Sequence, residues 1–374
     1  MRAARQIVIV YAGYLGRGGG VAQHVRQLRQ DAERRGDEPI VLSLDSLPSG
    51  VRLLPHVVRH ALNSVAAPWG TLLRYRVGRA LLASRLRRLI AGGGVRAVVF
   101  EDIYTAFPVP VPALAVLHAL ETHNLQGIAV TPARVAAARR AEAAWLASIP
   151  FPVAAVSAAY RAVVEADLRA VGASVRQLET VPLGIDVSAF PDPPRVRTSP
   201  RLEVVFLGFL VARKNLPLLA EVAGALRERI DYRLTIIGDG PLRPALEGWL
   251  AQRGAATSVE WLGQLPHAEV PGRLQAFHTM VHPSAVESFA YGLLEGKLAG
   301  AWTTTSPGLA VPPEFCDAVV AGDAGVWADH IAKHRPLYME PLSAERLAEV
   351  RELRRQYDAT KMCEAYRALL GLDR

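Results

Sequence analysis

The amino-acid sequence predicts an α/β protein built from two Rossmann-like, doubly wound domains. Its 374 residues exceed what one ordinary core organises, so two domains of roughly 180 residues are expected. Short β-branched segments alternate with helix-length amphipathic segments, a pattern typical of parallel sheets. The pattern restarts after the proline-rich segment PDPPRVRTSP at 191–200. We therefore expect domains at 1–190 and 191–355, and a C-terminal helix within 356–374 that returns toward the first domain.

The elements follow in order along the chain. In the first half, a strand at 6–12 (QIVIVYA) leads through a glycine-rich loop into a helix at about 21–35. Further strands are predicted in the first half at 39–44, 97–102 and 152–157. In the second half they are predicted at 203–208, 232–238, 258–263, 278–284 and 301–306. Helices are expected at about 215–228, from about 242, at 291–299 and at 344–370. Two such domains leave a cleft at their junction, where ligands commonly bind.

Composition restricts the class of protein. The chain is 51% hydrophobic and 21% charged, which is typical of a globular protein rather than a disordered one. The two isolated cysteines frame neither a disulfide scaffold nor a zinc site, and we predict no metal. The longest apolar stretch, 106–120, contains three prolines and is shorter than the roughly 20 residues of a membrane helix. We expect a cytoplasmic protein.

Positive charge is concentrated in the first half. Residues 1–190 contain 22 arginines and no lysine, against 13 acidic residues. An anionic partner and a GC-rich genome that favours arginine codons are both consistent with this excess. The segment 72–90 (LLRYRVGRALLASRLRRLI) is either a basic helix lying on anionic lipid or an ordinary domain helix. Peripheral membrane contact is therefore one expectation, and nucleic acid is not expected, because no recognition element accompanies the charge.

The glycine-rich loop, residues 16–20 (GRGGG), lies between a buried strand and a helix. Glycines allow close approach of a phosphate, and the helix N-terminus offers free N–H groups. With Asp45 after the next strand, the loop also fits a dinucleotide fingerprint, although the third glycine of that fingerprint is missing. A tight structural turn is the third interpretation.

The most informative segment is 281–295 (VHPSAVESFAYGLLE). A strand ends at Pro-Ser, a loop carries Glu287, and a helix beginning near Ala290 carries Glu295. Two glutamates so placed can contact two parts of one extended ligand, with the helix N-terminus facing its phosphates. Two solvated surface charges are the alternative.

This segment resembles the E-x7-E motif of retaining glycosyltransferases with the GT-B fold, in particular glycosyltransferase family 4. Further segments resemble family motifs in the usual order. They are 18–28 (GGGVAQHVRQL), 181–190 (VPLGIDVSAF), 207–215 (LGFLVARKN), 236–241 (IIGDGP) and 261–263 (WLG). The resemblance is dense from Val181 to Glu314 and sparser before it.

The resemblance implies a role for each matched residue. Glu287 would contact hydroxyls of the donor sugar, Glu295 the ribose, and Lys214 the diphosphate, with His123 near the reacting sugar. A packed or capping histidine is the alternative for His123. The remaining donor contacts implied are Gly18, Gly19, Gly20, Arg213, Gly238, Leu262, Gly263, Phe289 and Ala290.

The sequence departs from the family at three places. Phe209 stands where the family usually has Arg, with Arg213 close enough in sequence to replace it, and Ala290 stands where Gly is common. Gly296-Lys297 replaces a small apolar pair. These departures bear on donor identity and rate rather than on fold.

The resemblance implies a retaining, metal-independent transferase that uses no cofactor beyond its donor, a UDP- or GDP-sugar. The expected acceptor is a saccharide or lipid-linked saccharide in cell-surface polysaccharide or lipopolysaccharide synthesis. Fixed cations and helix dipoles would stabilise the departing diphosphate. The competing functions are an NAD-dependent oxidoreductase and a catalytically degenerate sugar-nucleotide-binding subunit.

Overall fold

The computed structural model describes residues 5–15, 19–67, 69–125, 130–175, 177–194 and 197–372. The chain forms two compact units. The first unit is Met1–Ile185 together with Asp358–Arg374, and the second unit is Asp186–Tyr357. Each unit has a parallel six-stranded sheet of its own.

The first unit alternates strands and helices from its start. Its elements are β1 (Gln6–Tyr11), α1 (Gly20–Arg34), β2 (Glu38–Ser43), α2 (Ser49–Arg52), α3 (Leu54–Ala66), α4 (Trp69–Ala91), β3 (Val95–Phe100), β4 (Ala113–Leu117), α5 (Pro132–Ala147), β5 (Val153–Ala155), α6 (Ala158–Ala170) and β6 (Leu178–Thr180). The sheet order is β2-β1-β3-β4-β5-β6. Its central strands are apolar and almost entirely buried, because helices cover both faces of a parallel sheet.

The second unit repeats the alternation with a different strand order. Its elements are β7 (Leu202–Leu207), α7 (Leu216–Arg227), β8 (Tyr232–Ile237), α8 (Arg243–Gln252), β9 (Val259–Gly263), α9 (Val270–Leu274), β10 (Thr279–His282), α10 (Tyr291–Leu298), β11 (Trp302–Thr305), β12 (Ala318–Val319), α11 (Ala324–Met339) and α12 (Ala344–Gln356). The sheet order is β12-β11-β10-β7-β8-β9, and its core includes Phe206, Leu219 and Trp327.

Both sheets contain a point where the winding direction reverses. In the second unit the chain proceeds from β7 outward to β9, and then returns so that β10 pairs with the other side of β7. In the first unit the reversal lies between β1 and β3. Ligands of doubly wound proteins bind outside the carboxyl ends of the strands at such a switch point. The loops after β7 and β10, and those after β1 and β3, are therefore the places to search for a site.

The last predicted helix, 344–370, is wrong as a single helix. It breaks after α12, and a separate helix α13 (Ala359–Leu369) begins at Asp358, whose carboxylate accepts a hydrogen bond from Thr360 N at 2.7 Å. Helix α13 belongs to the first unit, where Arg367 pairs with Asp37 at 2.8 Å. Gly184 permits this packing, because a Cβ there would lie 2.5 Å from the Ala359 Cα.

Three strands were not predicted: β4, β6 and β12. Strand β4 begins directly after Pro112, and the prolines before it conceal a five-residue apolar strand. Strands β6 and β12 have three and two residues, too few for any periodicity. Among the described residues, no helix has both the length and the apolar character needed to cross a bilayer.

Candidate functional site

The loop after β7 buries a lysine against a glycine. Gly208 donates its N–H to the Ile237 carbonyl at 3.0 Å, and a Cβ on Gly208 would lie 3.2 Å from the Lys214 Cε. The loop ends at Asn215, whose φ of 49° is left-handed, and α7 begins at the next residue. Asparagine tolerates this conformation better than most residues. The turn holds Lys214 buried above the end of β7.

The loop after β10 lies against this turn. Ala285 donates its N–H to the Arg213 carbonyl at 2.8 Å, so the backbone itself joins the two loops. Further along, the Glu287 carbonyl accepts a hydrogen bond from Ala310 N at 3.1 Å. Glu287 is thereby fixed opposite the cations that follow β7.

Three side chains then converge on the buried Glu287 carboxylate. Lys214 Nζ lies 2.5 Å from Oε1 and Arg213 Nη1 lies 3.0 Å from Oε2. The His282 Nε2 lies 3.2 Å from Oε1 and 3.0 Å from the Ser284 Oγ. The sequence predicted Glu287, Lys214 and Arg213 separately, and the structure brings all three into one cluster. His282 is buried as well, and it contacts this carboxylate.

The cluster has a net positive charge, because Lys214 and Arg213 share the single carboxylate of Glu287. Burial raises the pKa of Glu287, but Lys214, His282 and Arg213 together hold it well below its usual range. Burial also lowers the pKa of Lys214, against the opposing effect of Glu287. Burial and Lys214 lower the pKa of His282, which is therefore neutral near pH 7. An ionised carboxylate beside two cations can accept hydroxyl hydrogen bonds and attract an anion at the same place.

Helix α10 starts from a strained residue. Its N-cap, Ala290, has φ 62° and ψ 70°, a left-handed conformation that glycine adopts more easily. The preceding Phe289 is buried and packs edge-on against Phe315, with ring centroids 5.2 Å apart. This packing fixes the start of α10, so Ala290 retains the backbone shape of a glycine.

Glu295 lies in the body of α10 and is buried. Burial raises the pKa of Glu295 to about 8. The His267 Nδ1 lies 3.8 Å from its Oε1. Unlike Glu287, this carboxyl is mostly protonated at neutral pH. When it loses its proton, the carboxylate can accept a hydrogen bond from a ligand hydroxyl.

The other predicted donor contacts of the second unit lie on neighbouring strand ends. Gly238 has φ 134°, and a Cβ there would come 2.0 Å from the Gly208 carbonyl oxygen, so only glycine fits. Its N–H donates to the Gly263 carbonyl at 2.7 Å, next to Leu262 on β9. Phe209, in the position where the family has Arg, is 57% exposed.

Buried carboxylate partners explain the presence of a lysine at position 297. Its side chain is 1% exposed and pairs with Asp317 at 2.7 Å and Glu349 at 2.6 Å. Arg346 joins the same two carboxylates. Lys297, which departs from the family's small apolar pair, thus belongs to a buried ion network within the second unit.

In the first unit, Gly19 is the N-cap of α1 with φ 96°, and Gly20 is the first residue of the helix. Gly18 lies outside the described residues, as do Gly16 and Arg17. Asp45, the candidate ribose-binding acid of a dinucleotide site, accepts a hydrogen bond from Leu15 N at 2.7 Å. Asp45 therefore ties the start of the glycine loop to the end of β2.

His123 is held by its neighbours in the first unit. It lies on a 3-10 turn after β4, with Nε2 2.5 Å from the Asp167 Oδ2 and Nδ1 2.9 Å from the Tyr160 hydroxyl. Asp167 also pairs with Arg139 at 3.3 Å. Both ring nitrogens of His123 are thus engaged in this structure.

The sequence reasoning missed a histidine pair in the first unit. His24 Nδ1 and His118 Nε2 lie 2.7 Å and 3.1 Å from the Glu101 Oε2. Glu101 directly follows β3 and His118 directly follows β4, so polar residues at strand ends were the available signal. Burial raises the pKa of Glu101, but the two histidines lower it to about 2.

These three residues could hold a divalent ion, since their ligand atoms lie within 4.8 Å of one another. They are the only such group in the described part of the chain. In the structure they form a hydrogen-bonded triad around one carboxylate oxygen. The prediction of no metal remains a prediction.

Residues 194–333 match the family model described as glycosyl transferases group 1. This segment is a glycosyl transferases group 1 domain. It contains Arg213, Lys214, Glu287 and Glu295, whereas His123 and the glycine loop precede it.

A curated relative matches part of the chain. It is a subunit of the phosphatidylinositol N-acetylglucosaminyltransferase of Arabidopsis thaliana, which is 30% identical over 40% of this chain and 34% of its own length. The chain spans between 20% and 40% of the length of the curated relatives it matches.

Solved structures match nearly the whole chain. Sucrose-phosphate synthase from Thermosynechococcus elongatus has a TM-score of 0.72 at 18% identity, covering 98% of this chain and 99% of its own. Anabaena Alr3699/HepE in complex with UDP-glucose has a TM-score of 0.65 at 12% identity, covering 98% and 99%. The fold around the glycosyl transferases group 1 domain is therefore GT-B, as the sequence predicted.

Proposed function

We propose that this protein is a retaining glycosyltransferase. It moves a sugar from a UDP- or GDP-sugar to a saccharide or lipid-linked saccharide in cell-surface polysaccharide or lipopolysaccharide synthesis. The observation that carries the proposal is the cluster of Glu287, Lys214 and Arg213. It lies where the loops after β7 and β10 meet, at the switch point of the glycosyl transferases group 1 domain.

The cluster suits a nucleotide-sugar because it offers opposite charges side by side. In this proposal the Glu287 carboxylate accepts hydrogen bonds from sugar hydroxyls, while Lys214 and Arg213 approach the diphosphate. The N-terminus of α10, at Phe289 and Ala290, faces the same phosphates. Departure of the diphosphate develops negative charge, and fixed cations stabilise it without a metal. The leaving phosphate accepts the proton of the acceptor hydroxyl, so no protein nucleophile is required.

Glu295 would bind the nucleoside end of the donor. Its buried carboxyl has no strong cationic partner in the described part of the chain, and the largest influence on its pKa is burial. Two ribose hydroxyls donating to this carboxylate would replace that missing partner. Gly238, Leu262 and Gly263 would lie along the nucleotide, where the strand ends leave room for it.

We assign the acceptor to the first unit, and the family resemblance implies that Gly19, Gly20 and His123 of that unit take part in transfer. The arginine excess of that unit favours an anionic acceptor or a peripheral contact with anionic lipid at the inner membrane face. The name of the Arabidopsis relative specifies a phosphatidylinositol acceptor, which supports a lipid-linked substrate. This location agrees with a cytoplasmic protein.

A ligand panel tests the donor class first. UDP, GDP, ADP and NAD are added to the intact chain, and thermal unfolding is followed. A ligand at about 100 times its Kd stabilises the folded state by about 2.7 kcal/mol, a rise of several degrees in Tm. A shift with UDP or GDP that disappears in Lys214→Met supports the proposal. Lys333→Met, an exposed lysine of the same unit, is the matched control. A shift with NAD alone contradicts the proposal.

The competing function is a sugar-nucleotide-binding subunit without turnover. Two observations favour it: the exposed Phe209 in place of the family's Arg, and the strained Ala290 in place of Gly. A nucleotide shift without measurable transfer to any saccharide or lipid-linked acceptor would contradict the transferase and support this alternative.

A further inference from the structure

A basic groove lies between α4 and α5 of the first unit. Its volume is about 750 Å³, and Arg76, Arg79 and Arg87 of α4 line one side. Trp145 and Ser148 line the other side, with alanines between them. No acidic residue of the described chain lines the groove, and none of its lining residues belongs to the sites described above.

The three arginines lie against aromatic rings. The guanidinium carbons of Arg76 and Arg79 are 5.4 Å and 5.8 Å from the Trp145 ring centroid. Those of Arg79 and Arg87 are 5.7 Å and 5.3 Å from the buried Phe107 ring. Stacking on an aromatic face orients a guanidinium while leaving its edge N–H groups available.

Other arginines of the same helix are used differently. Arg85 donates to the Ser46 carbonyl, Arg88 donates to the Ser84 carbonyl at 3.3 Å, and Arg74 stacks on Tyr75 at 4.3 Å. Within the described part of the chain, none of the three groove arginines forms an ion pair with a carboxylate. The groove therefore gathers three cations that the protein itself does not neutralise.

The groove arginines also act on one another. Burial, followed by the like charges of Arg76 and Arg87, lowers the pKa of Arg79. Three guanidinium groups that repel one another would be stabilised by one multivalent anion.

We propose that this groove binds a phosphate-bearing ligand, either a phosphate ester or a diphosphate. Guanidinium groups match phosphate oxygens with paired hydrogen bonds, and three arginines balance the charge of a diphosphate. The same chemistry is offered by the headgroup of an anionic lipid and by a soluble phosphorylated compound. The inference does not depend on the transfer reaction, because it uses none of the donor-site residues.

Inorganic pyrophosphate is the first probe. It is titrated into the full chain carrying Lys214→Met, so that the cations of the second unit contribute less, and binding is measured by calorimetry. Arg79→Gln is expected to weaken binding by about tenfold or more, since a hydrogen bond to a charged group is lost. Arg88→Gln, on the same helix but outside the groove, should change it less than twofold. Equal losses in both variants, or no binding, would overturn the proposal.

Arginine footprinting locates the bound anion. Phenylglyoxal modification is followed by mass spectrometry with and without pyrophosphate. Protection of Arg79 and Arg87, with Arg88 modified as before, supports the groove. Protection confined to Arg213, or spread evenly over the exposed arginines, overturns it and leaves the donor-site proposal untouched.

Vesicles distinguish the two sources of phosphate. The full chain is mixed with vesicles of phosphatidylcholine alone or with phosphatidylglycerol. Binding to the anionic vesicles that Arg79→Gln abolishes and pyrophosphate competes away identifies a lipid headgroup as occupant. Pyrophosphate binding without vesicle binding identifies a soluble phosphorylated ligand. Vesicle binding unaffected by Arg79→Gln, with no groove protection in the footprint, contradicts both.

Discussion

The two units have sheets of the same size, but their cationic side chains have different partners. In the second unit, buried Lys214, Lys297 and Arg346 each contact a carboxylate at 2.7 Å or less. In the first unit, the arginines of the α4–α5 groove stack on aromatic rings and have no carboxylate beside them among the described residues. Burial explains the difference, because a cation removed from water must be paired, whereas a partly exposed one is solvated.

The comparison also separates structural from functional pairing within the second unit. Lys297 of α10 and Arg346 of α12 pair with Asp317, a carboxylate outside the candidate site. Lys214 and Glu287 lie at the switch point, where both partners can exchange their mutual contact for contacts with a ligand.

Removing a buried carboxylate from the second unit should have the largest effect. Asp317→Ala leaves Lys297 and Arg346 with only the partly exposed Glu349, and we expect a loss of about 3–5 kcal/mol in the free energy of unfolding. Urea unfolding measures it. Asp329→Ala, which breaks an exposed pair with Arg229, should cost less than about 1 kcal/mol. Arg79→Gln in the groove should change the free energy of unfolding by no more than about 0.5 kcal/mol. A larger loss would show that the fold depends on this cation as it does on the buried cations of the second unit.

Neutralising the site carboxylate should abolish most transfer. Glu287→Gln keeps the shape of the side chain but removes the charge that fixes Lys214 and Arg213, and we expect the transfer rate to fall by about 10²–10³-fold. Initial rates with a UDP- or GDP-sugar measure it, with thermal unfolding as a check on folding. Glu260→Gln, an exposed glutamate of the same unit, is the control. An unchanged rate would remove Glu287 from the site.

Nucleotide affinity should depend on pH through Glu295. Its pKa in the folded protein is about 8, so hydroxyl donors that require the carboxylate must displace a proton below that pH. Affinity for UDP or GDP should rise about tenfold from pH 6 to pH 7 and level off above pH 8. Without ligand the sign is opposite: the contribution of this group to stability is greatest at low pH and declines as pH rises toward 8. Glu295→Gln should flatten both profiles, and an equally steep affinity profile in that variant would contradict the assignment.

The smallest effect concerns the strained start of α10. Ala290→Gly removes the Cβ from a left-handed residue and should raise the free energy of unfolding by up to about 1 kcal/mol. Ala348→Gly, in the exposed interior of α12, should instead cost about 1 kcal/mol. Opposite signs in urea unfolding would support the strain at Ala290, and equal losses would show that its conformation is not costly.

Sequence reasoning worked where local patterns suffice. Strands β1, β7 and β8 follow directly from β-branched runs, and Glu287, Glu295 and Lys214 follow from motif spacing. It failed where the pattern is short or interrupted: β12 has two residues, and β4 follows a run of prolines. The break at Asp358 was also missed, although its cap needs only a local hydrogen bond to Thr360.

Contacts between distant segments were beyond the sequence. Nothing local reveals that Glu101, 77 residues from His24, binds that histidine, or that Arg76 and Arg87 face Trp145 across a groove. Likewise, the sequence around His282 does not show that this histidine and Lys214 both contact the Glu287 carboxylate. The loop after β7 brings Lys214 there.

By itself, then, the sequence determined the alternation of strands and helices, the two Rossmann-like domains and the chemical types of residue at the strand ends, and its resemblance to a family added the GT-B fold. These properties depend on periodicity and on spacing within one loop or helix. The tertiary structure decided the strand orders, the pairing of Lys214 with Glu287 and the isolation of the groove arginines. Those depend on which distant segments become neighbours, and on how burial changes the free energy of each charge.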